Sequence, residues 1–202
     1  MSGNRTADSD TAFISGTSSE FLGRKPLPRA VRSRPLIFIL GPKGVGKSVV
    51  ARRLLGEDAL RLDGKELADR VARTIRARRW EPELQDCESL ILDAPYFISR
   101  RPGYHRSIGR LLNERVERGH RTILLESQDM ASLQRLMDTV ALERRATVSL
   151  RFPVGRGRRR YALKLCEELN IDTSYARQSV NIDPWSYTAV RDSLVRLLES
   201  DE

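Results

Sequence analysis

The chain has 202 residues, 40% of them hydrophobic, with 36 lysines and arginines against 27 aspartates and glutamates, a formal charge of +9. That length and apolar content suit one ordinary domain with a small appended subdomain, which excludes a disordered or fibrous chain. No apolar run approaches the roughly 20 residues of a membrane span, and the opening MSGNRTADSDTAFISGTSSE lacks the basic start and apolar centre of a secretory signal.

The expected location is therefore cytoplasmic, without membrane contact. Cys87 and Cys166 stand far apart, outside CxxC or histidine spacing, and read as buried free thiols rather than a disulfide framework or zinc site.

In chain order, residues 1–22 are rich in Ser, Thr, Gly and Asp and predict a mobile polar tail. From Pro35 onward short apolar runs alternate with helix-period segments, the pattern of a parallel sheet covered by helices. The predicted strands are Leu36–Leu40, 59–62, Ser89–Asp93, 122–126 and 147–151. Helical stripes lie between them: Leu67, Val71 and Ile75; then Ile108, Leu111, Leu112 and Val116; then Met130, Leu133, Leu136, Met137 and Val140. These stripes are expected to face the core.

After the last strand the pattern is helical only, with Ala162, Leu165, Cys166 and Leu169 on one face and Val190, Leu194, Leu197 and Leu198 on another. The second of these helices is predicted to start at Asp183 and Pro184, an N-cap followed by proline at the first helical position. The expected domains are an α/β unit over 23–155 and a small helical, lid-like subdomain over 156–202.

The most informative stretch is GPKGVGKS, which follows the apolar run PLIFIL and precedes the helical run SVVARRLL. Gly41, Pro42, Lys43, Gly44, Val45, Gly46, Lys47 and Ser48 match the phosphate-loop pattern GxxxxGK followed by Ser or Thr, in its strand-to-helix setting. Glycines let backbone N–H groups turn inward around phosphate oxygens, and the helix start, through Val49, adds its positive dipole end. Lys47 neutralises the β- and γ-phosphates, and Ser48 can ligate Mg²⁺. The fold expectation is a P-loop NTPase of three layers, a parallel sheet covered by helices, with ATP and Mg²⁺ as cofactors.

SLILDAP places Asp93 at the C-terminal end of a strand, where a carboxylate can hold Mg²⁺ through water. A second acid usually stands beside it to activate the attacking water, and here that neighbour is Ala94. Glu126, ending the next predicted strand in RTILLESQD, is a substitute catalytic acid, while Ser127 and Gln128 are equally placed to touch a γ-phosphate. Slow hydrolysis is the expected consequence.

The succession RPLIFILGPKGVGKSVVARRLL, LRLDGKELADRVARTI, CESLILDAPYFISRRPGYHRSIGRLLNERVERGHRTILLESQD and ATVSLRFP resembles the AAA+ ATPase module of the bacterial chromosomal replication initiator and its small regulatory relatives, over residues 34–198. The resemblance implies that Lys47 and Ser48 take the ATP and Mg²⁺ positions and Asp93 that of the metal-associated acid. It further implies that Gln128, with Ser127, senses the γ-phosphate. Arg144 or Arg145 would reach a neighbouring subunit's nucleotide in a homo- or hetero-oligomer, and Arg191 would be the lid arginine that contacts bound nucleotide. An arginine suits both roles because its planar fork pairs with phosphate oxygens.

The chain departs from that pattern at Ala94, and RRWEPELQD, with Pro82, is too short for the extra helix that initiators use to hold single-stranded DNA. Its basic clusters are Arg24 to Arg34, Arg100 to Arg110 and RGRRR at 156–160. They fit a DNA backbone or an acidic protein partner. The reading is an ATP-binding regulatory or assembly protein with weak or partner-dependent hydrolysis. A small-molecule P-loop kinase, with Asp63 as acceptor-site acid and RFPVGRGRRR as lid, is the alternative, and a non-hydrolysing nucleotide-binding adaptor is a further one.

Overall fold

A computed structural model describes residues 12–17, 28–93, 102–126, 130–180 and 186–200. Six strands form one sheet: β1 (Ala12–Thr17), β2 (Leu36–Leu40), β3 (Leu60–Leu62), β4 (Ser89–Asp93), β5 (Arg121–Glu126) and β6 (Arg145–Arg151). Their order is β1-β6-β2-β5-β4-β3, and every neighbouring pair is parallel. The helices are α1 (Arg29–Arg32), α2 (Lys47–Leu55), α3 (Gly64–Ala77), α4 (Pro82–Asp86), α5 (Pro102–Glu117), α6 (Met130–Met137), α7 (Arg156–Leu169), α8 (Tyr175–Val180) and α9 (Tyr187–Ser200), with a 3-10 turn at Leu142–Arg144.

The sheet follows from strands that are apolar on both faces. All five residues of β2 are buried, so the strand must lie centrally with helices above and below. Its alternate side chains separate into two cores: Leu36, Phe38 and Leu40 pack with α3 and α5, whereas Ile37 and Ile39 pack with Val50 and Ala51 of α2. A third cluster, Ala162, Leu165, Cys166, Ala176, Val190 and Leu194, is built by α7, α8 and α9 alone, and Phe152 touches both it and the α2 core.

Register places the site. Leu40 lies opposite Glu126, and Asp93 opposite Leu125, so β2, β4 and β5 end together at the C-terminal edge. That edge is where parallel sheets present ligands.

Several expectations change. Ala12–Thr17 falls within the expected tail yet forms β1, with Ala12 opposite Ala146 and Thr17 opposite Arg151. The stretch AFISGT carries Phe, Ile and Thr, and β6 would otherwise offer an unpaired edge; composition averaged over 22 residues hides this. Ile75 is 44% exposed, and Thr74, at 7%, takes the inward position. At 3.6 residues per turn the apolar face drifts, so the i, i+4, i+7 positions 67, 71 and 74 face inward, not a strict four-residue series.

Pro82 opens the five-residue helix α4, since proline suits the first helical position. Asp183 and Pro184 lie outside the described residues; α9 starts at Tyr187, and the amide of Ala189 donates to Ser186 Oγ at 2.9 Å as its cap. Cys166 is buried as expected, but Cys87 is only half-buried. Among the described residues no helix is long and apolar enough to cross a membrane.

Sequence periodicity also passed over Arg115, which is fully buried beside the α5 stripe. Its guanidinium donates to Leu84 O at 2.7 Å, Cys87 O at 2.9 Å, Arg121 O at 2.9 Å and Thr122 Oγ1 at 2.8 Å. A cation satisfied by carbonyl dipoles thus ties α4 and the start of β5 to α5. Burial lowers its pKa from the ordinary arginine value.

Candidate nucleotide site

The loop from Gly41 to Gly46 leaves β2 at the sheet's C-terminal edge and turns into α2. The Gly41 amide donates to Glu126 O at 3.2 Å, which ties the loop to β5. A Cβ at Gly41 would stand 2.6 Å from Leu150 O of β6, so the residue must be glycine for the loop to pass. Val45 is fully buried in the α2 core and anchors the loop from below. The amides of Gly44, Gly46, Lys47 and Ser48 have no backbone acceptor among the described residues. They sit where a helix start favours an anion.

Lys47 is half-buried and folds back, donating from Nζ to Gly41 O at 2.7 Å and Pro42 O at 2.9 Å. Burial lowers its pKa from the ordinary lysine value, while Asp93 and Glu126 oppose that shift. Ser48 Oγ donates to Asp93 Oδ2 at 3.3 Å. A hydroxyl and a carboxylate so placed beside the loop fit the hard oxygen ligation of Mg²⁺.

The same Asp93 Oδ2 also accepts from the guanidinium of Arg61, on β3, in an ion pair whose side chains are 39% and 20% exposed. Arg61 was not legible as a site residue. It is the charged residue in the strand LRL, and only the pairing of β3 with β4 brings it to Asp93.

Glu126 reaches the same edge, but it is only 5% exposed and its main-chain oxygen holds Gly41. Pro42, Lys43 and Val49 form the exposed rim of the loop. Ala94, Ser127 and Gln128 lie outside the described residues.

The start of α9 touches the loop directly. The amide of Tyr187, the first residue of α9, donates to Gly44 O at 3.3 Å, and a Cβ on Gly44 would meet Ser186 Cβ at 2.8 Å. Gly44 also holds φ +78, a left-handed conformation that glycine adopts without strain. Arg191 is exposed and lies one turn into α9 from this contact.

Arg144 and Arg145 are at the other edge. Arg145 starts β6 opposite Leu36, and Leu150, which borders the loop, is five strand residues further on, about 17 Å. Neither arginine therefore reaches its own chain's loop. Arg145 is 9% exposed and ion-paired with Asp138 at 3.7 Å, whereas Arg144 is exposed.

A central parallel strand feeding a glycine loop into a helix, with Lys, Ser and Asp at one edge and the start of α9 against the loop, defines an α/β fold of parallel strands covered by helices. Solved structures place the likeness more closely. Domain III of the replication initiation protein DnaA from Thermotoga maritima superposes with a TM-score of 0.67 at 13% identity, covering 84% of this chain and 78% of that one.

DnaA bound to AMPPCP and single-stranded DNA gives 0.67 at 14% identity over 84% of this chain and 56% of that one. AMPPCP-bound DnaA from Aquifex aeolicus gives 0.61 at 13% over 85% and 61%. The chain thus shares the fold of domain III of DnaA and spans little more than half of those two longer chains. No protein-family model and no curated protein sequence matches it.

Proposed function

We propose that the chain binds ATP with Mg²⁺ at the 41–48 loop and acts as a nucleotide-gated regulatory or assembly protein whose hydrolysis is slow or partner-dependent. The observation that carries this reading is the convergence of Lys47, the Ser48 and Asp93 pair, and the start of α9 on one short loop. Lys47, held by two loop carbonyls, is positioned to exchange them for phosphate oxygens. Ser48 and Asp93 would hold Mg²⁺, which when bound neutralises charge on the β- and γ-phosphates.

The gating element is the contact between Gly44 O and the Tyr187 amide. In this reading a phosphate chain drawn into the loop shares space with the start of α9, so that α9 registers occupancy and Arg191, exposed one turn further on, contacts the nucleotide. Arg144 is the arginine left to serve a neighbouring subunit, because Arg145 is spent on Asp138.

Two of the similar structures carry AMPPCP, which supports ATP as ligand. The kinase alternative is disfavoured because Asp63 is spent as the N-cap of α3, accepting from the Glu66 amide at 2.8 Å.

Slow turnover follows from Ala94, whose methyl group cannot polarise water, and from the burial of Glu126. The test is single-turnover hydrolysis by the wild type and by Ala94→Glu. The expected result is a slow wild type and a faster variant; a wild-type rate already in the ordinary range of about 1–10³ s⁻¹ refutes it.

A further inference from the structure

Between the end of α3 and the first half of α5 lies an open cleft of about 490 Å³, remote in sequence from the nucleotide loop. Ile75, Arg78 and Arg79 form one wall and Arg106 and Arg110 the other, with Trp80 at the floor. Arg78, Arg79 and Arg106 are exposed and have neither ion pair nor hydrogen-bond partner among the described residues. Arg110 engages Glu114 at 2.7 Å, and Glu114 also accepts from Gln85. Four arginines therefore face one carboxylate.

The contrast within α3 is informative. Arg70 and Arg73, one to two turns earlier, are neutralised by Glu66, Glu81 and Glu83. The arginines that fasten α3 to α4 are paired, and those around the cleft are not. Arg78 moreover stands at φ +56, a left-handed position where glycine would be unstrained, and Ile75 is 44% exposed at the same cleft.

We propose that this cleft binds a short acidic segment of a partner protein, with carboxylates flanking an apolar residue. Guanidinium groups take carboxylates through paired hydrogen bonds, and Ile75 offers the apolar residue a contact. Nucleic acid fits less well. The arginines border a pocket rather than a track, and Trp80 is 4% exposed with its Nε1 donating to Ser107 O at 3.2 Å, so no ring face is offered to a base. The proposal rests on the regulatory reading for its purpose but not for its chemistry, since no cleft residue belongs to the nucleotide loop.

The test is fluorescence anisotropy of the full chain with a short fluorescein-labelled peptide of Glu and Asp around a central Leu, with single-stranded oligothymidylate as comparison. The wild type is expected to bind the peptide saturably and more tightly than the oligonucleotide, with affinity falling as salt rises. Arg78→Glu with Arg106→Glu is expected to weaken the peptide at least about tenfold, and Ile75→Ser about threefold. Lys47→Ala should leave peptide binding unchanged, and the double variant should leave ATP affinity unchanged, which keeps failure of this proposal distinct from failure of the nucleotide reading.

Thermal melting verifies that the double variant folds; if it does not, Arg78→Ala with Arg106→Ala replaces it. Absence of wild-type peptide binding, or equal binding by the folded double variant, overturns the proposal. Tighter oligonucleotide binding that the same double variant abolishes also overturns it, and assigns the cleft to a nucleic-acid backbone.

Discussion

Replacing Arg61 by alanine isolates the contact that would compete with the proposed cation at Asp93. Arg61 and Ser48 both donate to Asp93 Oδ2, so the carboxylate that would help hold Mg²⁺ is engaged by an internal guanidinium. The side chains are 39% and 20% exposed, which puts this pair among surface ion pairs worth about 0.2–1 kcal/mol. Releasing Asp93 should therefore lower the Mg²⁺ concentration at half-saturation by up to about fivefold, since about 1.4 kcal/mol is tenfold.

The assay is a Mg²⁺ titration of fluorescent ATP-analogue binding at fixed nucleotide, repeated at two ionic strengths. The shift should shrink at the higher one as the pair is screened. Asp93→Asn should raise the midpoint with or without Arg61. A midpoint unchanged or raised in Arg61→Ala at low salt refutes the competition.

Two further outcomes concern the scaffold. Arg115→Met should destabilise the fold by about 3 kcal/mol or more, because carbonyls of residues 84, 87 and 121 lose a buried donor; urea unfolding measures it, and a loss under about 1 kcal/mol contradicts the role assigned to this residue. Gly44→Ala introduces a Cβ at φ +78, 2.8 Å from Ser186 Cβ, and should cost about 1–2 kcal/mol while displacing the start of α9. Hydrogen exchange at the Tyr187 amide should accelerate, and unchanged protection would mean that α9 does not depend on the loop.

The strand-to-helix setting of the loop was legible because it lies in consecutive residues. The place of Asp93 at a strand end was legible from the apolar run before it, and the parallel sheet from apolar runs that a two-sided core requires. What stayed hidden depends on contacts across the fold. Arg61 meets Asp93 over 32 residues through the β3 and β4 pairing. Gly44 meets Tyr187 from the far end of the chain.

The cleft needs the end of α3 beside the start of α5, and Ile75 falls on the predicted core stripe only because a fixed four-residue repeat ignores helical drift. Arg115 was passed over because a buried arginine without a carboxylate partner carries no local pattern. Arg145 looked equivalent to Arg144 until burial and Asp138 separated them.

Lys47 and the loop around it are proposed to hold the phosphates of ATP. Equilibrium binding of ATP in the presence of Mg²⁺, compared between wild type and Lys47→Ala, tests it most directly. Loss of charge-assisted hydrogen bonds worth about 1.5–3 kcal/mol each should weaken binding roughly a hundredfold, with the thermal midpoint of the nucleotide-free protein preserved. Equal affinity of the folded variant and the wild type would mean that Lys47 does not hold the phosphates.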